Sequence, residues 1–199
     1  MKTFHLTTLL FVAAVALVSC KKSGDEKPAG VLINGVRWAE CNVAAAGTFT
    51  ANPESPGMIY QWNRRKAWSA VDETVTGWDD TNASGETWAT ANDPCPTGWR
   101  VPTTEDFATL LDTDKVTYAW TTSKGVDGVR FTDKVSSASI FLPAAGNRDN
   151  AGTLYGVEDN GYYWSSTSFS SGYAWGLSTG AGQDDYDYAY GFSVRCVKK

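Results

Sequence analysis

Asp93-Pro94-Cys95-Pro96-Thr97-Gly98-Trp99-Arg100-Val101-Pro102-Thr103 reads as a rigid turn that delivers the chain into a helix. Prolines on both sides of Cys95 restrict the backbone, and Gly98 suits a reversal of direction. Thr103 can cap a helix, and Asp106 three residues later makes a weak form of the capping box. Phe107, Leu110 and Leu111 then recur at helical spacing, which predicts one amphipathic helix ending near Asp112.

On the N-terminal side of this helix, Val31-Leu32-Ile33, then Asn34-Gly35, then residues 36–43 predict a hairpin around a type I′ turn. Residues 53–57 read as a turn and 58–62 as a short strand. The polar stretch 72–92 carries Trp78 and Trp88, so it reads as a long loop pinned by two indoles, because disordered segments are poor in aromatics.

On the C-terminal side, short strands are expected at 117–121, 129–132 and 140–142, separated by Gly-Asp turns. Residues 146–161 read as a loop rich in Asn, Asp and Gly. Two similar segments around Trp164 and Trp175 predict paired strands joined near residues 170–172. From 186 to 197 the chain alternates: Tyr188, Tyr190, Phe192, Val194 and Cys196 point one way, and Asp187, Ala189, Gly191, Ser193 and Arg195 the other. Cys196 is thereby in phase with the face read as buried.

The N-terminus carries an address. Leu17-Val18-Ser19-Cys20 closes a short apolar run that follows Lys2, the pattern of a bacterial lipoprotein signal. The run is too short for a membrane-spanning helix. Residues 1–19 are therefore read as signal peptide, 20–30 as a flexible tether, and 31–199 as a single domain. Cys20 is the lipidation candidate, the membrane a partner through N-terminal lipid, and the outer membrane the expected location, with surface display and a periplasmic position both open. Cleavage would remove His5, the chain's one histidine.

The net charge of −5 and the lack of a basic stripe argue against nucleic acid as a partner. Arg64-Arg65-Lys66 reads as a solvated charged turn. Thirteen per cent aromatic residues and 19 glycines favour a turn-rich β or α+β fold. Three cysteines remain once Cys20 is acylated, and an oxidising compartment permits one disulfide. Cys95 with Cys196 is the expected pair, leaving Cys41 as a buried free thiol, with Cys41–Cys196 the open alternative.

Four ordered motifs carry a family resemblance. The Cys95-Pro96-Thr97-Gly98-Trp99-Arg100-Val101-Pro102 stretch, Leu142-Pro143-Ala144-Ala145-Gly146-Asn147-Arg148, Asn160-Gly161-Tyr162-Tyr163-Trp164-Ser165-Ser166-Thr167 and Tyr190-Gly191-Phe192-Ser193-Val194-Arg195-Cys196-Val197 resemble the Fibrobacter succinogenes major paralogous domain. The resemblance implies a Bacteroidetes-type lipoprotein with an α+β, C-type-lectin-like fold: a mixed, looped β-sheet with one or two helices and long loops. It also implies the Cys95–Cys196 pair. The family is generally found on surface lipoproteins and presumed adhesins, and formylglycine-generating-enzyme domains are similar in the Arg-Val-Pro-Thr helix start and the closing strand.

A binding or adhesion role with glycan or protein as ligand follows from the resemblance. Carbohydrate sites use aromatic faces against sugar rings, with amides and charges at the rim. Trp164, Trp175, Tyr162 and Tyr173 near Asn147, Arg148, Asp149 and Asn150 are the candidates; Trp38, Trp88 and Trp99 are read as core. Asp184, Asp185 and Asp187 are weak calcium candidates, because the usual lectin triplets are missing and turn formation explains acids and amides there more cheaply. No other cofactor is expected. Without histidine neither a Ser-His-Asp triad nor a His-based metal centre can form, so an enzyme is not expected. The alternatives are a structural module of a surface assembly without a small-molecule site, and an enzyme related to the formylglycine-generating domains.

Overall fold

The computed structural model describes residues 30–180 and 182–199. The readings of residues 1–29, including lipidation of Cys20, lie outside the described residues. Among those described, the chain forms four small sheets, one α-helix and one 3-10 turn at Thr90–Asn92. All neighbouring strands within these sheets run antiparallel; among the described residues, parallel contacts occur only as the isolated bridges Gly146–Gly161 and Tyr163–Ser193. This corrects the expected α+β, C-type-lectin-like class with a mixed sheet: the protein is mostly β. The helix signal was real, but it is a single short helix among many strands of two to nine residues.

The first and last described strands share one sheet. Val36–Trp38 pairs with Val31–Ile33 on one side and with Val197–Lys198 on the other, and Val197–Lys198 also pairs with Trp99–Arg100. The hairpin turns where expected, with positive φ at Asn34 (42°) and Gly35 (84°), as a type I′ turn requires. Pairing of Lys198 with Trp99 sets the rigid turn beside the last strand. Cys95 and Cys196 are accordingly bonded, across a sequence separation of 101. Cys41 is not the free thiol expected: it too is disulfide-bonded, and no described cysteine is free.

Thr104–Leu111 is the helix. The Thr103 side chain accepts from the Asp106 N–H, and the Asp106 carboxylate accepts from the Thr103 N–H at 2.8 Å, so the capping box is complete. Asp106 also takes a fork from Arg100, at 2.6 and 3.2 Å. Phe107 and Leu110 are fully buried against Trp38, Phe131, Leu142, Tyr163 and Leu177. Asp106→Ala removes the box and the fork together. It is expected to cost about 2 kcal/mol, read from the urea midpoint of unfolding; a loss below about 0.5 kcal/mol would contradict this account of the cap.

The outer meander, Val116–Ser123, Val126–Asp133 and Ser139–Pro143, covers this core on one side. A second sheet orders Leu154–Val157, Ala145–Arg148, Gly191–Phe192, Ile59–Gln61 and Ala67–Trp68. Residues 146–161, read as a loop, thus contain two paired stretches, with Leu154 opposite Arg148 and Tyr155 opposite Asn147. At the centre of that sheet a Cβ on Gly191 would lie 2.5 Å from Ile59 and 2.6 Å from Trp78, so only glycine fits.

The third sheet is Tyr162–Ser170, Tyr173–Ser178 and Gly182–Asp187. The single long strand expected over 186–197 is instead three pieces in three sheets: the end of Gly182–Asp187, then Gly191–Phe192, then Val197–Lys198. Neither face of its C-terminal part is outward, since Ala189, Ser193 and Arg195 are as buried as Phe192, Val194 and Cys196.

Candidate functional site

Phe192 organises the site. It is fully buried, with Trp164 stacked on it at 4.1 Å, Tyr186 edge-on at 4.8 Å, and Tyr162 and Tyr190 at 5.1 and 6.3 Å. Pairing explains the gathering. Tyr162 and Trp164 lie two residues apart on one strand and therefore on one face. Trp164 opposes Gly176, the neighbour of which, across the next pair, is Asp184. Gly176 has no side chain to separate Phe192 from Tyr186; a Cβ there would come within 3.1 Å of Phe192 and 3.2 Å of Tyr186.

Above these rings opens a cleft of about 530 Å³. Its lining is aromatic at Tyr162, Tyr173, Tyr186, Tyr190 and Phe192, and polar at Asn147, Asn150, Asp185 and Asp187. Asp185 opposes Trp175 and Asp187 opposes Tyr173, so these four share one face of the sheet while Tyr186 belongs to the other. Asp187 Oδ1 accepts the Ala189 N–H at 2.8 Å, and the Tyr190 N–H bonds the Asp187 carbonyl at 3.0 Å. That tight turn brings Tyr190 back to the cleft. Burial, followed by the nearness of Tyr162, Asp184 and Asp185, raises the Tyr186 phenol to about 12. It therefore stays a neutral hydroxyl, able to donate and accept, throughout the physiological range.

Of the residues singled out from sequence, Tyr162, Tyr173, Asn147, Asn150, Asp185 and Asp187 meet at this cleft. The others do not. Trp164 is completely buried, its indole N–H donating to the Tyr60 carbonyl at 2.7 Å; it supports Phe192 and offers no face to a ligand. Trp62 returns the contact, donating to the Ser165 carbonyl at 2.9 Å. Trp175 is half-buried against the edge of Phe169. Arg148 is fully buried, and its guanidinium donates to the carbonyls of Ser69, Asp72 and Gly152. Asp149 closes a turn by accepting from Ala151 and Thr153, both at 2.9 Å. Trp38 and Trp99 are core as expected, whereas Trp88 is half-buried at the join of two clusters.

Asp184 alternates away from Asp185 and Asp187, so the three acids do not converge, and among the described residues no three His, Cys, Asp or Glu side chains gather as a metal site. Tyr186, Tyr190 and Phe192 were not anticipated as lining. The signal was there in Asp184-Asp185-Tyr186-Asp187-Tyr188-Ala189-Tyr190, a run alternating acids with tyrosines, but a straight-strand reading placed all its aromatics in the core.

A family model described as the Fibrobacter succinogenes major domain matches residues 31–198. No curated protein and no solved structure matches the chain.

Proposed function

Starting from a chain that belongs to the Fibrobacter succinogenes major domain family, we propose that it is a lipid-anchored cell-envelope binding protein whose cleft takes carbohydrate. One observation carries the reading: a cleft of about 530 Å³ lined by four tyrosines and Phe192 together with Asn147, Asn150, Asp185 and Asp187. A sugar ring has an apolar face that lies against an aromatic ring and an equatorial rim of hydroxyls that seeks such polar groups. The size suits one or two sugar units.

A glycan array probed with the full chain in detergent, with and without calcium, tests this. Binding to a defined glycan is expected, with Tyr173→Ala weakening it about tenfold or more, because Tyr173 is 43% exposed and supplies a free ring. No binding under either condition would reject the carbohydrate reading. For the anchor, Cys20→Ser is expected to move the protein from the membrane fraction to the soluble one, since the acyl chains would be its hold on the bilayer.

A second reading, a structural module of a surface assembly, draws on a different feature. The strand Val116–Ser123 lies at the edge of its sheet, carries no charge, and exposes Tyr118 and Trp120 at 46% and 48%. Self-association lost in a Trp120→Lys variant, with no glycan bound, would favour it.

A further inference from the structure

One sheet edge in this protein is left open. Val116–Ser123 is the outermost strand of its meander, eight residues long, and no charged residue or proline interrupts it. Native edges are usually blunted by charge, proline, shortness or a covering element. The other edges here follow that rule. Gly182–Asp187 carries Asp184, Asp185 and Asp187. Tyr162–Ser170 is covered: the Trp164 N–H donates to the Ser193 carbonyl, the Ser193 N–H to the Tyr162 carbonyl and the Ser166 N–H to the Pro102 carbonyl, and Thr167 bridges Thr87. The remaining edge strands among the described residues run two to five residues.

The strand register decides which backbone groups are free. The Lys124-Gly125 turn, with positive φ at both residues (49° and 82°), makes Ser123 and Val126 a hydrogen-bonded pair. Alternation then directs the backbone bonds of Thr117, Ala119 and Thr121 toward Val126–Asp133, and those of Tyr118, Trp120 and Thr122 away from it. The Asp133 N–H on the Ala138 carbonyl and the Ala144 N–H on the Asp127 carbonyl fix the same phase, because they send the odd-numbered residues of Val126–Asp133 to its other neighbour. The outward backbone groups of Tyr118, Trp120 and Thr122 meet no partner among the described residues, and Tyr118 and Trp120 are 46% and 48% exposed.

This edge is its own complement. Set antiparallel to a second copy about a twofold axis at Ala119, outward backbone meets outward backbone: Tyr118 lies opposite the partner's Trp120, and Val116 opposite the partner's Thr122. Tyr118 and Trp120 share a face, so the tyrosine of each copy meets the tryptophan of the other across the seam. Charges just beyond the strand match as well. Exposed Asp114 and Lys115 at its start come beside the partner's Lys124, itself paired with Glu54 at 3.3 Å, at its end. A two-residue shift either way sets one ring against its own copy and the other against Val116 or Thr122. Resting on the assembly reading above, we propose that two copies of this chain join by the Val116–Ser123 edge, Ala119 facing Ala119, into one continuous antiparallel sheet. The buried area is modest. Two half-exposed rings of roughly 200 Å² each and one strand edge fall short of the roughly 800 Å² per partner of a standard interface, so the pair is reversible, with a Kd of about 10–100 µM.

Sedimentation of the full chain in density-matched detergent tests the association, and cysteine cross-linking reads the register, with the unsubstituted chain as control. Dimer is expected to rise with protein concentration, and Trp120→Lys, which replaces a seam ring by a charge, to weaken it about tenfold or more. On mild oxidation Ala119→Cys is expected to give a covalent dimer, because residues facing each other at the twofold lie within disulfide reach. Thr117→Cys and Thr121→Cys should each stay uncross-linked alone and cross-link when mixed. A dimer that Trp120→Lys leaves intact, or one that cross-links through Thr117→Cys alone or Thr121→Cys alone, overturns this pairing while leaving a self-assembling module in place. A chain that is monomeric at every concentration and gives no Ala119→Cys cross-link overturns both. A monomer that instead pairs this edge with an unrelated valine- and threonine-rich peptide assigns the surface to a foreign strand and also overturns the self-pairing.

Discussion

The double variant Cys95→Ala/Cys196→Ala is expected to lose about 4 kcal/mol of unfolding free energy. The bond closes a loop defined by a sequence separation of 101, and a cross-link over about 100 residues removes denatured-state entropy worth up to ~4.7 kcal/mol. Packing acts in the same direction, because both sulfurs sit in a cluster with Tyr60, Trp99, Val101 and Val194, and Cys196 is fully buried. Beyond that packing, the two segments are joined by the short ladder of Val197 with Arg100 and Lys198 with Trp99, the Lys199 N–H on the Gly98 carbonyl at 3.1 Å, and Lys198 over the Trp99 ring. The substitution is a cleaner test than reductant, which would also open the bond at Cys41. Urea denaturation should show a lower midpoint together with a steeper dependence on denaturant, since the unbridged chain exposes more surface on unfolding. A change below about 1 kcal/mol would mean that the last strand is held by its packing alone.

How much of this could be read from the sequence depends on how local the deciding signal is. The Asn34-Gly35 turn, the Thr103–Asp106 capping box and the Cys95–Cys196 pair rest on a few adjacent residues or on motif order, and the structure contains all three. Strand pairing that depends on distant partners was less visible. Asn147 is a poor strand former, yet it and Arg148 pair with Tyr155 and Leu154 across a turn fixed by Asp149. Trp164 and Tyr162 share a strand face, but nothing local says that Trp164 ends against Phe192 and the Tyr60 carbonyl while Tyr162 reaches the cleft. The class itself was misjudged for a related reason: one well-marked helix stands out more sharply in a sequence than many two- or three-residue strands. The cleft was half legible, as Tyr162, Tyr173 and the Asn147–Asn150 region, because tyrosines and amides with no obvious core periodicity attract notice. The rest came from residues whose alternation resembled an ordinary buried strand.

Arg195 shows the same alternation failing with the largest energetic consequence, and Arg195→Met is expected to cost about 4 kcal/mol or to prevent folding. Its place in the period-two pattern points it outward, but both sides of the chain are covered there and the side chain is fully buried. Its Nε donates to Asn42 Oδ1 at 2.9 Å, Nη1 to the carbonyls of Glu40 and Ala39 at 2.8 and 3.3 Å, and Nη2 to the Phe141 carbonyl at 3.0 Å. These acceptors come from the segment after the first hairpin and from the outer meander, so one guanidinium ties the last strand to both. Burial lowers its pKa to about 10, against the opposing influence of Tyr163 and Glu40, and it remains charged at neutral pH. Two effects then compete on substitution. Removing a desolvated charge is favourable, which is why replacing a whole buried ionic group by apolar residues is sometimes neutral. Here only the donor goes. Four oxygens stay behind, three of them on buried residues (Asn42, Ala39 and Phe141), and each buried acceptor left unsatisfied costs about 1–3 kcal/mol. The second effect wins. Arg195→Lys separates the causes: it keeps the charge but has no planar fork, so it can reach one or two of the four acceptors. Both variants should therefore unfold at lower urea, with lysine recovering less than half of the loss. Lysine restoring wild-type stability would show that charge, and not the geometry of the guanidinium, is what the site requires.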